Sequence, residues 1–241
     1  MRFLFDDRLA PLTSEIGFIE SDYVTAFEAF SLWQQPLLSP YGIRLFSRTV
    51  KGNLESVLKS LLPLAESSCT RYLFIPTANP KWSVFLDNGW RGTNADTVAV
   101  IAARLRCYAI RMAAIPNTIN RDGKGRYGAC MFVLFGPRPE NSLPHNCIRS
   151  ITAANDGGKW VFDTYGLPLP FENAGQYLLK RVRDKFTFEM LEEYLAAMSL
   201  FPFDESFYLP PGNERAILAT TSAKFRPDAR DISLEEARAG Y

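Results

Sequence analysis

RYLFIPTANPKWSVFLDNGWRGTNAD, residues 71–96, joins two apolar runs through an Asn79-Pro80 turn and then opens into a polar loop. RYLFIP and WSVFLD are rich in β-branched and aromatic residues, and the Thr77–Lys81 connection has hairpin length, so the spacing predicts an antiparallel pair of strands. The loop that follows carries Asp87, Asn88, Trp90, Arg91, Asn94 and Asp96 where a short polar connector would serve. Loops are where scaffolds place recognition chemistry. Together with Trp82, this loop is the leading candidate site.

Towards the N-terminus, MRFLF reads as an opening strand, and residues 22–37 place Val24, Phe27, Phe30, Leu32 and Trp33 at helical spacings, with Pro36 as the stop. Tyr41 to Val50 alternates as a strand. Asn53 opens a helix running to Leu64, in which Leu54, Val57, Leu58, Leu61 and Leu62 recur on one face. On the other side, Thr97 to Leu105 reads as a helix capped by Asp96. Cys107–Pro116 and Arg126–Gly136 follow as two strands joined by a polar hairpin. Cys147–Ala153 and Lys159–Gly166 flank Asn155-Asp156-Gly157-Gly158, the strongest hairpin signal in the chain.

After Pro168 and Pro170 the pattern turns helical. Residues 173–184 carry Ala174, Tyr177, Leu178 and Val182 on one face, and Thr187 caps a helix with the stripe Phe188, Leu191, Tyr194, Leu195, Met198. FPFDESFYLPPG, residues 201–212, is too stiff for a free linker and is expected to wrap the surface. Ser233-x-x-Glu236 is a capping box for a terminal helix. The expectation is one α+β domain over residues 1–241, with a mixed, largely antiparallel sheet and flanking helices. Residues 1–166 form its sheet-rich part, and residues 167–241 a helical C-terminal part packed on it.

At 241 residues with 47% hydrophobic and 22% charged side chains, the chain can bury a core without disulfides and is neither disordered nor membranous as a whole. Lys and Arg total 27 against 26 Asp and Glu, so no global field attracts nucleic acid or an anionic membrane. Arg104, Arg106 and Arg111 interrupt the most apolar region, which excludes a spanning helix there. The first fifteen residues lack the apolar core and cleavage site of a secretory signal, so a cytoplasmic location is expected. Cys69, Cys107, Cys130 and Cys147 are far apart in sequence and are expected to be free thiols.

Catalytic signatures are missing. The chain has one histidine, His145, so a histidine-rich zinc site is not available, and Cys147 two residues on has no evident acidic orienter for a Cys-His nucleophile. Gly123, Gly125 and Gly128 in DGKGRYG spell a dinucleotide motif, yet a strand follows where that motif needs a helix, so they are read as a hairpin loop. Asp87, Asp96 and Asp163, with Asp6 and Asp7, are the acids that could pair around a substrate, although each is better read as capping a turn or meeting an arginine. LKRVRDK, residues 179–185, reads as a solvated helix face. No cofactor and no metal set emerges. In DNGWRGTNAD, the Asn88-Gly89 and Gly92 turns allow backbone amides to receive a small anionic ligand, while Trp90 and Arg91 are side chains that partner surfaces favour.

KWSVFLDNGWRG and RVRDKFTFEMLEEYLAAM, the latter residues 181–198, resemble segments of uncharacterised bacterial proteins. In those proteins a tryptophan, an aromatic strand and an Asp-Asn-Gly turn precede a helix, and an R-D-x-[FL]-T segment opens the last large helix. Some of them look like immunity components of toxin systems. The resemblance implies binding of a protein partner, a toxin, by occlusion and without chemistry. The chain departs from the acidic balance common among nuclease inhibitors, which argues against a nuclease partner. Two functional expectations follow. The first is a non-enzymatic cytoplasmic protein-binding protein using Trp82, Asp87, Asn88, Trp90, Arg91 and Asp96. The second is a small-molecule hydrolase or transferase using Asp87, Asp96 and Arg91 around an anionic or sugar ligand.

Overall fold

The structure, a computed structural model, describes residues 3–137 and 146–239. In chain order its elements are β1 (Glu15–Ile19), α1 (Tyr23–Leu38), β2 (Leu45–Lys51), α2 (Leu54–Lys59), β3 (Leu64–Ala65), β4 (Arg71–Pro76), β5 (Ser83–Asp87), α3 (Ala95–Leu105) and β6 (Ala109–Ile115). Then come β7 (Ala129–Phe135), β8 (Cys147–Asp156), β9 (Lys159–Tyr165), α4 (Phe188–Ala197), β10 (Arg215–Thr221), β11 (Asp231–Ile232) and α5 (Leu234–Ala239). The fold is α+β. Nine of these strands make one antiparallel sheet in the order β2-β10-β4-β5-β1-β6-β7-β8-β9, and β3 pairs with β11 beside it.

Period-2 alternation sorts the sheet's side chains into two cores. Ile19, Tyr72, Phe74, Phe85 and Ala219 face α1 and α3, where Ala26, Phe30, Val98 and Ile101 meet them. Phe18, Leu73, Val84, Leu86, Ile110, Phe132 and Ile151 face the opposite way, towards Leu58 of α2, Leu191 and Leu195 of α4, and Phe207. Each fully enclosed phenylalanine, such as Phe18 or Phe85, contributes about 1.5–3 kcal/mol by leaving water. β1 runs through the middle of both layers. A Cβ at its Gly17 would stand 2.6 Å from Val98, so the missing side chain is what lets α3 lie close on the sheet.

The expected hairpins are present. β4 pairs with β5, β6 with β7, and β8 with β9. Asp22, Asn53 and Thr187 cap α1, α2 and α4 with their side chains, and Ser233 and Glu236 exchange the two bonds of a capping box. Several boundaries differ. Pro36 lies in the last turn of α1 and does not stop it: the helix runs on to Leu38 although Pro36 cannot donate to the carbonyl four residues before it. Leu4–Asp7 is a tight turn and not a strand. α3 is capped by Asn94, whose side chain accepts the N–H of Asp96, so Asp96 is a first-turn residue and not the cap.

The C-terminal part is not purely helical. β10 inserts between β2 and β4, with Ala219 facing Ser47 on one side and Tyr72 on the other, so both halves of the chain build one sheet. Residues 174–178 and 182–184 form separate 3-10 turns where one helix was expected. Tertiary hydrogen bonds divert that backbone. The Asn173 N–H donates to the Tyr194 hydroxyl, and the Gln176 side chain donates to the Asp184 carbonyl. No helix among the described residues is long and apolar enough to cross a membrane.

Arg149 of β8 anchors that segment. Its side chain is 2% exposed, and its Nε and Nη2 grip the two oxygens of Glu172 at 2.8 and 2.7 Å while Nη1 donates to the Tyr165 and Gly166 carbonyls. Glu172 also accepts from the Leu169 N–H and the Tyr177 hydroxyl. Burial works to raise the Glu172 carboxyl, but Arg149, Leu169 and Tyr177 outweigh it and hold the group below its ordinary value. Its contribution is therefore present above the ordinary carboxylate range and lost as pH falls through the lowered value. Glu172→Ala leaves a buried guanidinium without its partner, and urea titration at neutral pH is expected to show a loss of about 3–5 kcal/mol. A loss under about 1 kcal/mol, the scale of a surface pair, would show that this network does not hold the C-terminal segment.

Candidate functional site

β5 ends at Asp87, and the loop 88–94 starts and finishes on that carboxylate. Oδ1 accepts the Gly89 N–H and Oδ2 the Asn94 N–H, each at 2.9 Å. Asn88 is tied inward: its Oδ1 accepts the Thr70 and Arg71 N–H groups, and its Nδ2 donates to the Pro63 carbonyl and the Thr70 hydroxyl. The backbone adds a stitch to β3, with the Ala65 N–H donating to the Asn88 carbonyl and the Trp90 N–H to the Ala65 carbonyl. Gly92 has φ +106, and a Cβ there would meet Glu15 within 3 Å, so its glycine is required both by the turn and by the carboxylate beneath it. The Thr93 hydroxyl closes the loop onto the Glu15 carbonyl at 2.9 Å.

Beneath the loop lies a buried charge cluster. Glu15 of β1 pairs with Arg111 of β6, and Arg111 also reaches Met131 Sδ at 3.6 Å, while its Nε has no hydrogen-bond partner among the described residues. Burial raises the Glu15 carboxyl, opposed by Arg111 and reinforced by the negative charge of Asp87. Burial likewise raises Asp87, opposed by the Asn94 and Gly89 N–H groups and by the Cys69 thiol. Burial and the neighbouring Asp87 push the Cys69 thiol up, so its thiolate is strongly disfavoured. All four cysteines are free.

The six candidate residues divide by exposure. Trp82, Asp87 and Asn88 are buried at 6%, 2% and 1% exposure, so they support the site and present nothing to a macromolecule. Trp82 lies at the opposite end of β5 from the loop. Trp90 is half-buried, with its ring resting on the core, and Arg91 and Asp96 are exposed. The Arg91 guanidinium lies over the Trp90 ring at 4.7 Å, a cation–π contact of about 0.5–1 kcal/mol at an exposed site. Arg91 forms no ion pair with Asp87 or Asp96: Asp87 is enclosed beneath the loop, and Asp96 points to solvent from the first turn of α3.

A cleft of about 320 Å³ opens beside Asp87, Cys69, Asn94 and Thr97, under Trp33 and Phe225. Neither Asp96 nor Arg91 lines it, so the three groups that an enzyme reading requires do not converge there. Asp163 projects from β9 at the far edge of the sheet, and Asp7 pairs with Arg126. Among the described residues no group of three or more His, Cys, Asp or Glu side chains could hold a metal. His145 lies outside the described residues. Sequence reading passed over Glu15 and Arg111, although each is a single charge within an apolar run, EIGFI and AIRMAAI, and that pairing of isolated opposite charges was the available signal. No family model, no curated protein and no solved structure matches the chain.

The raised carboxyls give pH dependence a definite sign. Between the ordinary value of 4.5 for Glu15 and its raised value in the fold, the folded chain binds more protons than the unfolded one, so this contribution to stability is lost as pH rises. Glu15→Gln removes that titration. In urea unfolding at a series of pH values, the stability difference, wild type minus variant, is expected to be largest below pH 4.5 and to shrink towards neutrality. A difference that grows with pH would mean that Arg111 dominates over burial.

Proposed function

We propose that this chain is a non-enzymatic protein-binding protein of the bacterial cytoplasm, an immunity-type inhibitor that occludes a toxin through the ridge formed by Trp90 and Arg91. One observation carries the reading. The Arg91 guanidinium is stacked 4.7 Å over Trp90, on a loop whose two ends are tied to one buried carboxylate. Tryptophan and arginine are the side chains that dominate binding energy in protein interfaces, and a loop already ordered in the free protein loses little freedom on binding. Asn94 and Asp96 are exposed beside the ridge and extend it with polar groups.

A second reading, a hydrolase or transferase acting on an anionic or sugar ligand, draws on the cleft beside Asp87. Against it, both Asp87 oxygens already hold the backbone amides that shape the loop, a scaffolding role that leaves little capacity for proton transfer.

The test is co-expression with the product of the gene adjacent to this chain's own, scored by growth and by binding in titration calorimetry. Arg91→Glu changes only an exposed side chain, and Trp90→Phe keeps a ring against the core, so both are expected to fold with a melting temperature within about 4 °C of wild type. Loss of a hot spot of about 2 kcal/mol weakens binding about 30-fold, and protection should fall with it. Undiminished binding by both variants removes this loop from the interface.

A further inference from the structure

β9 is the last strand of the sheet and pairs with β8 alone. Its hairpin turn is two residues long, Gly157 and Gly158, with φ of 58° and 100°, and Asp156 faces Lys159 as the closing pair. In such a hairpin the closing pair is hydrogen-bonded, and bonded and non-bonded pairs alternate from there. The Asn155 N–H accordingly turns away from β9 to the Gly128 carbonyl. It follows that Lys159, Val161 and Asp163 direct their backbone groups towards β8, while Trp160, Phe162 and Thr164 direct theirs outward, where no backbone of the described residues hydrogen-bonds them, although the 182–184 turn lies against the strand. The side chains of Lys159, Val161, Asp163 and Tyr165 stand on one face of the strand and all are exposed. Lys159 and Asp163 make no ion pair or side-chain hydrogen bond among the described residues, and at four residues' separation, about 13 Å along a strand, they do not reach each other.

We propose that β9 is a homodimer interface, at which two copies of this chain pair their β9 edges antiparallel about a two-fold axis at Val161. The sequence Lys159-Trp160-Val161-Phe162-Asp163 is self-complementary in that register. Trp160 faces the partner's Phe162, and Phe162 faces the partner's Trp160. These are the residues with outward backbone groups, and each facing pair exchanges two N–H···O=C bonds. Lys159 faces the partner's Asp163 at both ends, on the open side of the sheet, and Val161 faces the partner's Val161. Tyr165, 60% exposed, faces the partner's Gly157, which has no side chain to obstruct it.

The charges select this register. Moving the axis to Phe162 or Trp160 keeps the backbone bonding but places Lys159 opposite a tyrosine or a valine, and both ion pairs are lost. The other edge of the sheet does not offer the same fit. β2, LFSRTVK, carries Arg48 and Lys51 with no acid, so a self-paired β2 brings cations together without a counter-charge. An edge with one sign of charge resists pairing with its own copy, whereas β9 invites it. Pairing β9 with β9 also closes after two copies, whereas a β2-to-β9 contact would propagate without limit.

The experiment is sedimentation velocity of the full chain over a dilution series, with thermal melts to verify folding. Wild type is expected to approach twice the 27.2 kDa chain mass at the concentrated end. Asp163→Lys and Lys159→Asp, each at an exposed position, should keep the melting temperature and raise the dimer dissociation constant about tenfold or more, because two ion pairs become two like-charge pairs. The double variant exchanges the two charges and should restore the wild-type constant. A chain that stays monomeric at every concentration overturns the proposal, as does a dimer indifferent to Asp163→Lys or a double variant no tighter than the single ones.

Discussion

The carboxylate of Asp87 is enclosed at the end of β5 and holds two backbone amides five residues apart, those of Gly89 and Asn94. A carboxylate taken from water without donors costs several kcal/mol, so this geometry is maintained only while the loop supplies them. The consequences propagate along the chain. Closure of the loop places Asn94 where it caps α3, and α3 then lies on Gly17 of the central strand. The same closure brings Gly92 over Glu15, which sets the Glu15–Arg111 pair beneath the loop. The half-buried Trp90 and the exposed Arg91 are thus held by a framework whose parts are all internal.

Three buried carboxylates behave differently because their partners differ. Glu172 receives both arms of the Arg149 guanidinium and two further donors, and its carboxyl is held below the ordinary range. Asp87 receives neutral donors alone and is raised by burial. Glu15 has a guanidinium too, but burial and the adjacent Asp87 prevail over it. The direction of each shift is therefore set by the balance between burial and the charge and number of donors. The Arg149 and Glu172 network fastens the C-terminal segment to the sheet, whereas the Glu15, Arg111 and Asp87 cluster organises the 88–94 loop.

Much of the local structure was legible. The hairpins, α3 and α4 followed from period, turn chemistry and apolar stripes, and the Asp-Asn-Gly turn was correctly located in a structured loop. The central strand β1 was not, because Glu15 and Gly17 interrupt its alternation and are explained only by Arg111 and Val98, about 80 to 100 residues away in sequence. β10 escaped for a related reason. Its Ala216 and Ala219 have weak strand preference and fit because β2 and β4 flank them closely. The 173–184 segment has a helical pattern that tertiary hydrogen bonds override.

By itself the sequence determined which segments alternate, where turns and caps fall, and that Asp87 to Asp96 is chemically dense, since these depend on residues within one turn or one strand of each other. Only the tertiary structure decided which of these side chains are enclosed and which reach solvent. Trp82, Asp87 and Asn88 face inward, Trp90 rests half-buried on the core and Arg91 faces outward because strand order, long-range hydrogen bonds and the enclosed Glu15–Arg111 pair set the loop's orientation. Those contacts join positions far apart along the chain, and no local pattern encodes which distant partner completes a buried charge.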